Sequence, residues 1–137
     1  MGNDHRRALG ALGECTAARI LGEEGLEILD RNWRDGSRGE LDLVARDARQ
    51  VVVVVEVRTR IGDAFGSALE SVDPLKVAKL RRLAIAWARA HAVHRPIRID
   101  VIAITVPRCR RREVIAAPAA ADLRAFGAKT EWVRSIS

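Results

Sequence analysis

Apolar residues recur at helical spacing near the start of the chain: Leu9, Leu12, Thr16 and Ile20 fall on one stripe, with Ala17 and Leu21 beside it. That period predicts an amphipathic helix over residues 4–22, with Gly22 and Gly25 as stop signals around Glu23 and Glu24. A short apolar stretch at 26–29 leads through Asn32 and Trp33 into the turn-rich run Asp35-Gly36-Ser37-Arg38-Gly39. The pattern then changes to that of strands, over 40–46 and 51–58. Five consecutive valines, Val51 to Val55, mark the second as β-branched and apolar on both faces. The linker at 47–50 is short enough for a hairpin.

Residues 59–71 carry Gly62 and Gly66 among mixed polarity and predict a mobile loop or an irregular crossover. Asp73-Pro74 has the form of an N-cap followed by Pro at the first helical position. The helix it opens runs to about residue 92, with Val77, Leu80, Ala84, Trp87 and Ala88 as its buried stripe and Lys76, Lys79, Arg82 and Arg89 on the outer faces. A third strand is predicted over 97–106, stopped at Pro107. The tail holds the basic run Arg108, Arg110, Arg111 and Arg112, a short strand expected around 113–116 and a helix expected over 119–126, with 118–137 the least defined segment. Helix, two or three strands, helix, strand, strand describes one α/β layer arrangement, residues 1–137 forming a single domain with a crossover between strands.

Composition narrows the function classes. The longest wholly apolar run is the valine stretch, far short of the roughly 20 residues a spanning helix needs. No membrane association is expected, and the first ten residues do not lead into a secretory leader. Cys15 and Cys109 lie far apart with no CxxC pattern and no nearby His pair, so the expectation is a cytoplasmic protein with free thiols and no zinc site. The 24 Lys+Arg outnumber the 18 Asp+Glu for a net charge of +6, and all but three of those cations are Arg. The guanidinium fork suits phosphate, which makes nucleic acid the leading partner class. Plain solubility, or a GC-rich coding sequence, accounts for the same excess.

The acids carry the sharper signal. Asp42 interrupts the apolar strand Leu41-Asp42-Leu43-Val44-Ala45, and Glu56 follows five valines that would otherwise continue a buried strand. A carboxylate in such a place is costly unless it is paired, hydrogen-bonded or bound to a cation. Two acids from neighbouring strands can hold Mg²⁺ or Mn²⁺ through oxygen ligands. The ion would activate water and stabilise charge on a scissile phosphate, with Arg58, two residues from Glu56 and on the same strand face, clamping that phosphate. This requires a particular hairpin. Pairing Arg46 with Val51 would send Glu56 to the opposite face from Asp42, whereas a three-residue loop at 48–50, or a bulge, sets the two acids opposite one another. The second arrangement is predicted. Glu14, at the edge of the first helix's apolar stripe beside Gly10, Ala17, Ala18 and Leu21, is the third acid that could reach the same ion or the attacking water.

Gly13-Glu14 with Ala17 and Ala18, Asn32-Trp33-Arg34, Gly39-Glu40-Leu41-Asp42-Leu43-Val44-Ala45, Val55-Glu56-Val57-Arg58-Thr59-Arg60, Gly66, Lys76 and Arg98-Ile99-Asp100-Val101 together resemble the bacterial YraN-like proteins. The resemblance spans about residues 8–104. It implies a restriction-endonuclease-like α/β fold, a mixed β-sheet flanked by helices. The order of acids is also similar to that of archaeal Holliday junction resolvases in the PD-(D/E)xK nuclease superfamily. It implies Mg²⁺- or Mn²⁺-dependent phosphodiester cleavage, with Glu14, Asp42 and Glu56 as acids and metal ligands and Arg58 at the usual lysine position. The expected partner is DNA rather than RNA, in branched or otherwise structured form, with a homodimer by analogy to the resolvases. No Pro precedes Asp42, and Arg58 stands where the superfamily pattern has lysine. Arg stays protonated, so it can orient phosphate or water but cannot act as the general base. The alternative is a non-catalytic nucleic-acid-binding module that retains the nuclease fold.

Each candidate also has a structural reading. Asp42 and Glu56 could pair with Arg58 or Arg60, and Glu14 with Arg19 or Arg7. Glu40 could face solvent at a strand start, and Asp100 is expected to satisfy a structural hydrogen bond or ion pair. Lys76 and Lys79 sit in the first turns of a helix, where a cation gains nothing from the dipole, so they and Arg60 are read either as phosphate contacts or as a solvated face. The run from Arg108 to Arg112 reads as a phosphate-binding arm or as a solvated turn. Trp87 is expected in the core, and His5, His91 and His94 at the surface. The absence of Tyr argues against an aromatic single-strand platform.

Overall fold

The computed structural model describes residues 2–62, 70 and 72–136. Helix α1 (Gly2–Glu23) is followed by strands β1 (Glu27–Arg34), β2 (Glu40–Arg46) and β3 (Val52–Ile61), helix α2 (Pro74–Ala90), strand β4 (Ile97–Val106), the short helix α3 (Arg111–Ile115) and strand β5 (Lys129–Val133). The five strands form one mixed sheet in the order β1-β2-β3-β4-β5. The first three make an antiparallel meander, β3 and β4 run parallel with α2 in the connection, and β5 returns antiparallel on β4.

The valine run accounts for the two layers. Val53 and Val55 face α1, where they pack with Leu12, Ala17, Leu21, Leu43, Ala45, Ile102 and Ile104. Val52 and Val54 face α2, against Val44, Leu80, Leu83, Ala84, Trp87 and Ile99. All four are essentially inaccessible, each contributing roughly 1.5–3 kcal/mol by burial. Helix α1 comes close to the sheet at Gly13: a Cβ there would stand 1.8 Å from Thr59 Oγ1, so only glycine permits this approach. The helix ends at Gly25, whose φ of +86° and the Leu26 N–H bond to the Leu21 carbonyl form a left-handed C-terminal cap. Helix α2 begins as its sequence predicts, with the Asp73 carboxylate accepting from the Lys76 backbone N–H at 2.9 Å and Pro74 following it.

Several expectations need correction. Residues 59–61 extend β3 rather than opening a loop, because they pair with Ile104, Thr105 and Val106 of β4; residues 63–69 lie outside the described residues. The strand expected around 113–116 is the helix α3, whose Val114 inserts into the α1-side core while its neighbours stay exposed. The helix expected over 119–126 contracts to a 3-10 turn at Leu123–Phe126, ended by Gly127 at φ +77°. The segment after it is ordered as β5, because Lys129 to Val133 take up the free edge of β4.

Candidate active site

Whether Asp42 and Glu56 can cooperate is decided at the hairpin between β2 and β3. The Asp47 backbone N–H donates to the Val51 carbonyl at 3.0 Å, leaving a three-residue loop at 48–50. Gln50 takes the left-handed conformation there, at φ +71°. The Asp47 side chain accepts from the N–H groups of Arg49 and Val51, fixing the turn. The resulting ladder pairs Arg46 with Val52 and Leu43 with Val55. One step further it sets Asp42 against Glu56, as predicted. At that step the side chain replaces the ladder: Asp42 Oδ2 accepts from the Val57 N–H at 2.8 Å.

Three carboxyl groups meet at this point. Asp42 is within hydrogen-bond reach of both Glu14, from α1, and Glu56, on β3. Burial pushes the Asp42 carboxyl up to about 8, with the neighbouring negative charge of Glu56 and then of Glu14 adding to it and the Val57 N–H opposing it. Glu14 is also held above the ordinary carboxylate range, first by burial. Around neutral pH Asp42 therefore keeps its proton and donates it towards its neighbours, as expected of a buried acid set among other acids.

Glu56 is only 4% exposed and is held by two cations, Arg58 Nη2 at 3.1 Å and Lys76 Nζ at 3.3 Å. Lys76 comes from the first turn of α2. The cation that gained nothing from the helix dipole is thus explained by a carboxylate on the sheet, a contact that neither the phosphate reading nor the solvated reading anticipated. Arg58 Nε is buried and, among the described residues, has no hydrogen-bond acceptor. The stem of Lys79 lies against Gly39, where a Cβ would stand 2.8 Å from its Cε. Arg60 follows Arg58 on β3, half-buried, opposite Thr105 of β4.

Asn32 escaped the reading of the residues one by one. It sits in β1 at φ +50°, a conformation that Asn tolerates better than most residues. With its amide nitrogen turned to the acids, it donates to Glu14 Oε1 at 2.8 Å and to Glu40 Oε1 at 2.9 Å. Glu40 is therefore tied into the cluster through one oxygen, while its other oxygen pairs with Arg34 at 2.9 Å. The available signal was an Asn placed where the strand pattern breaks down.

Asp100 plays the structural part expected of it. It is fully buried and accepts from Arg98 through two nitrogens at 2.9 and 3.0 Å, from Trp132 Nε1 at 2.9 Å and from the Ser135 N–H at 3.0 Å. Trp87 lies in the core. His91 is more engaged than a surface residue: its ring stacks on Trp87 at 4.4 Å, and Nε2 stands 3.6 Å from Asp30. Within the basic run, Arg110 is tied to Glu113 at 2.8 Å. Cys15 and Cys109 are free thiols, and among the described residues no helix is long and apolar enough to cross a membrane.

The model of the uncharacterised protein family UPF0102 matches residues 13–104. The chain belongs to this family. The matched residues run from the glycine beside Glu14 to the end of the segment carrying the YraN-like resemblance. A UPF0102 protein of Beutenbergia cavernae is 54% identical over 98 residues, covering 71% of this chain and 81% of the relative. One from Mycolicibacterium smegmatis is 49% identical over 112 residues, covering 80% and 90%. Among solved structures, a chain of the EndoMS-dsDNA2 complex is similar over 64% of this chain and about a third of its own length, 34%, with 18% identity and a TM-score of 0.38. Asn32, Asp42, Glu56 and Lys76 all fall inside the family match, whereas β5 and α3 fall outside it.

Proposed function

We propose that this UPF0102 protein is a Mg²⁺- or Mn²⁺-dependent phosphodiesterase acting on DNA, of the restriction-endonuclease-like kind that its motifs resemble. The observation that carries the reading is the convergence of Glu14, Asp42 and Glu56, with Asp42 driven up to about 8. A cluster that must hold a proton at neutral pH is one that a divalent cation would relieve, and hard oxygen donors suit Mg²⁺ and Mn²⁺. The oxygen donors suit such an ion, although among the described residues no three His, Cys, Asp or Glu side chains stand at a spacing that would hold one as they are now placed. Asp42 and Glu56 would hold the ion and Glu14 would complete its surroundings, with Asn32 fixing the Glu14 carboxylate. When bound, the ion supplies Lewis-acid stabilisation of a phosphoryl oxygen and lowers the pKa of water.

The remaining roles belong to the protein's own groups. Arg58, whose Nη2 stands 3.1 Å from Glu56, would orient the scissile phosphate and stabilise the charge that grows on it. Lys76, unlike Arg58, can exchange a proton, and its ammonium, held 3.3 Å from Glu56, would stand beside a phosphate bound at the acids. Asp42, one of whose oxygens accepts from the Val57 N–H, would be among the residues that hold the ion once deprotonated.

One observation favours a second reading, a nucleic-acid-binding module without turnover: Glu56 is already neutralised twice, by Arg58 and Lys76. A cleavage panel separates the two. Linear duplex, single-stranded and four-way-junction DNA are offered with Mg²⁺ or Mn²⁺ to the wild type, Asp42→Asn and Lys76→Ala. Metal-dependent cutting that falls at least about 100-fold in Asp42→Asn is the expected result. DNA binding without cutting by any of the three would move the assignment to the module, and branched substrate cut no faster than linear duplex would remove the resolvase analogy.

A further inference from the structure

Helix α2 carries five cations, Lys76, Lys79, Arg81, Arg82 and Arg89, and no acid. Like charges along one helix destabilise it unless something compensates them. Lys76 is compensated by Glu56. Lys79, Arg82 and Arg89 instead line a groove of about 560 Å³ between α2 and the β1–β2 turn, whose floor includes Leu83, Ile85 and Ala86. The turn contributes Arg38 and Asp35, paired to each other at 3.7 Å, and Asp35 is the single acid among the described residues lining the groove. Four cations against one carboxylate leave the groove strongly positive.

The groove begins at Lys79, close in the chain to Lys76, the residue that holds Glu56. Lys79 lies across Gly39, the residue before Glu40, and sits one helical turn from Lys76. From Lys79 to Arg89 the helix rises about 15 Å, a length matching about four base-pair steps of a duplex. No aromatic side chain is among the described residues lining it, and the tryptophan of this helix, Trp87, is buried in the core. A straight, cationic track without a stacking surface is suited to phosphates and sugars rather than to unstacked bases.

We infer that the groove between α2 and the 35–39 turn binds the sugar-phosphate backbone of a DNA duplex and leads it to the acids, with Arg82 and Arg89 as its principal contacts and Arg38 and Lys79 beside them. The inference rests on the nucleic-acid reading above but not on turnover. Recognition there is independent of base sequence.

The test uses the full chain and a labelled DNA duplex, followed by fluorescence anisotropy over a series of salt concentrations. Arg82→Ala/Arg89→Ala is compared with Arg49→Ala/Arg95→Ala, which removes the same charge from exposed loops elsewhere. Thermal melting confirms that both variants fold. The groove variant is expected to bind about tenfold more weakly or worse, with a salt slope shallower by about 2, since each phosphate contact accounts for about 0.9. The other variant should stay within about threefold of wild type. Equal losses in the two variants, no loss in the groove variant, or tighter binding of single strands than of duplex would each overturn the groove. Duplex binding that depends on Arg82 and Arg89 without any cleavage would leave the groove standing and retire the catalytic reading. Cleavage with binding indifferent to these residues would do the reverse.

Discussion

Asp42 and Asp100 pose the same problem in sequence, each an acid breaking into an apolar strand, and the protein treats them in opposite ways. Asp100 lies where β4 is roofed by the segment after β5, and every direction around it supplies a donor: a bidentate guanidinium, an indole N–H and a backbone N–H. Asp42 receives one backbone N–H and otherwise faces two more carboxyl groups. A buried charge with matched donors is structural, and substituting it breaks the fold. A buried acid set among other acids costs stability, and under the proposed function a divalent cation would relieve that cost. The contrast locates function better than burial or strand position alone.

Four consequences sharpen the contrast, in order of size. Asp100→Ala strands the Trp132 and Ser135 N–H groups and leaves Arg98 only its longer pair with Asp47, so it should lower stability by about 3–5 kcal/mol in urea denaturation. A loss under about 1 kcal/mol would show that Asp100 is not the anchor described here. Asp42 should make stability depend on pH in the direction opposite to an ordinary ion-paired carboxylate. Native Asp42 keeps its proton up to about 8, whereas an unfolded Asp releases it near 3.9, so the native state holds the extra proton throughout that interval. Stability contributed by the protonated group is present at the acid end and is lost as pH rises towards 8, by an amount on the order of a few kcal/mol. Thermal melts in chelator should show this decline in the wild type and a flatter profile in Asp42→Asn. A decline of the same size in both proteins would assign it elsewhere.

Asn32→Ala should remove the bridge between Glu14 and Glu40 at a cost of about 1 kcal/mol. Its effect on cutting should exceed that modest loss, because the Glu14 carboxylate is no longer held in place. Wild-type cleavage rates in Asn32→Ala would leave the amide a purely structural part. Smallest of all, Glu113→Ala should leave the thermal midpoint within experimental error of wild type, since its pair with Arg110 is exposed to solvent.

Much of this was legible in the sequence, for identifiable reasons. The alternation of Val52 to Val55 between two cores, and the three-residue loop that aligns Asp42 with Glu56, follow from local period and turn length. Local patterns carry no information about partners distant in the chain. Lys76 showed only that it gained nothing from its helix dipole, and the carboxylate that explains it lies 20 residues earlier, on the sheet. Asn32 owes its role to a positive φ in a strand irregular since the register shift between Ile28 and Asp30, which no residue-type preference announces. The tail was misread because its short apolar stretches fit either period. Docking decided between them, Val114 entering the α1 core and Lys129 to Val133 taking the free edge of β4.

Titration calorimetry with Mn²⁺ at neutral pH, in two buffers of different ionisation enthalpy, tests the central claim most directly. The acidic cluster should bind the ion in the wild type with release of about one proton, the one that Asp42 holds, and both the binding and the proton should vanish in Asp42→Asn. Absence of Mn²⁺ binding in the wild type, or binding of equal strength in Asp42→Asn, would contradict it.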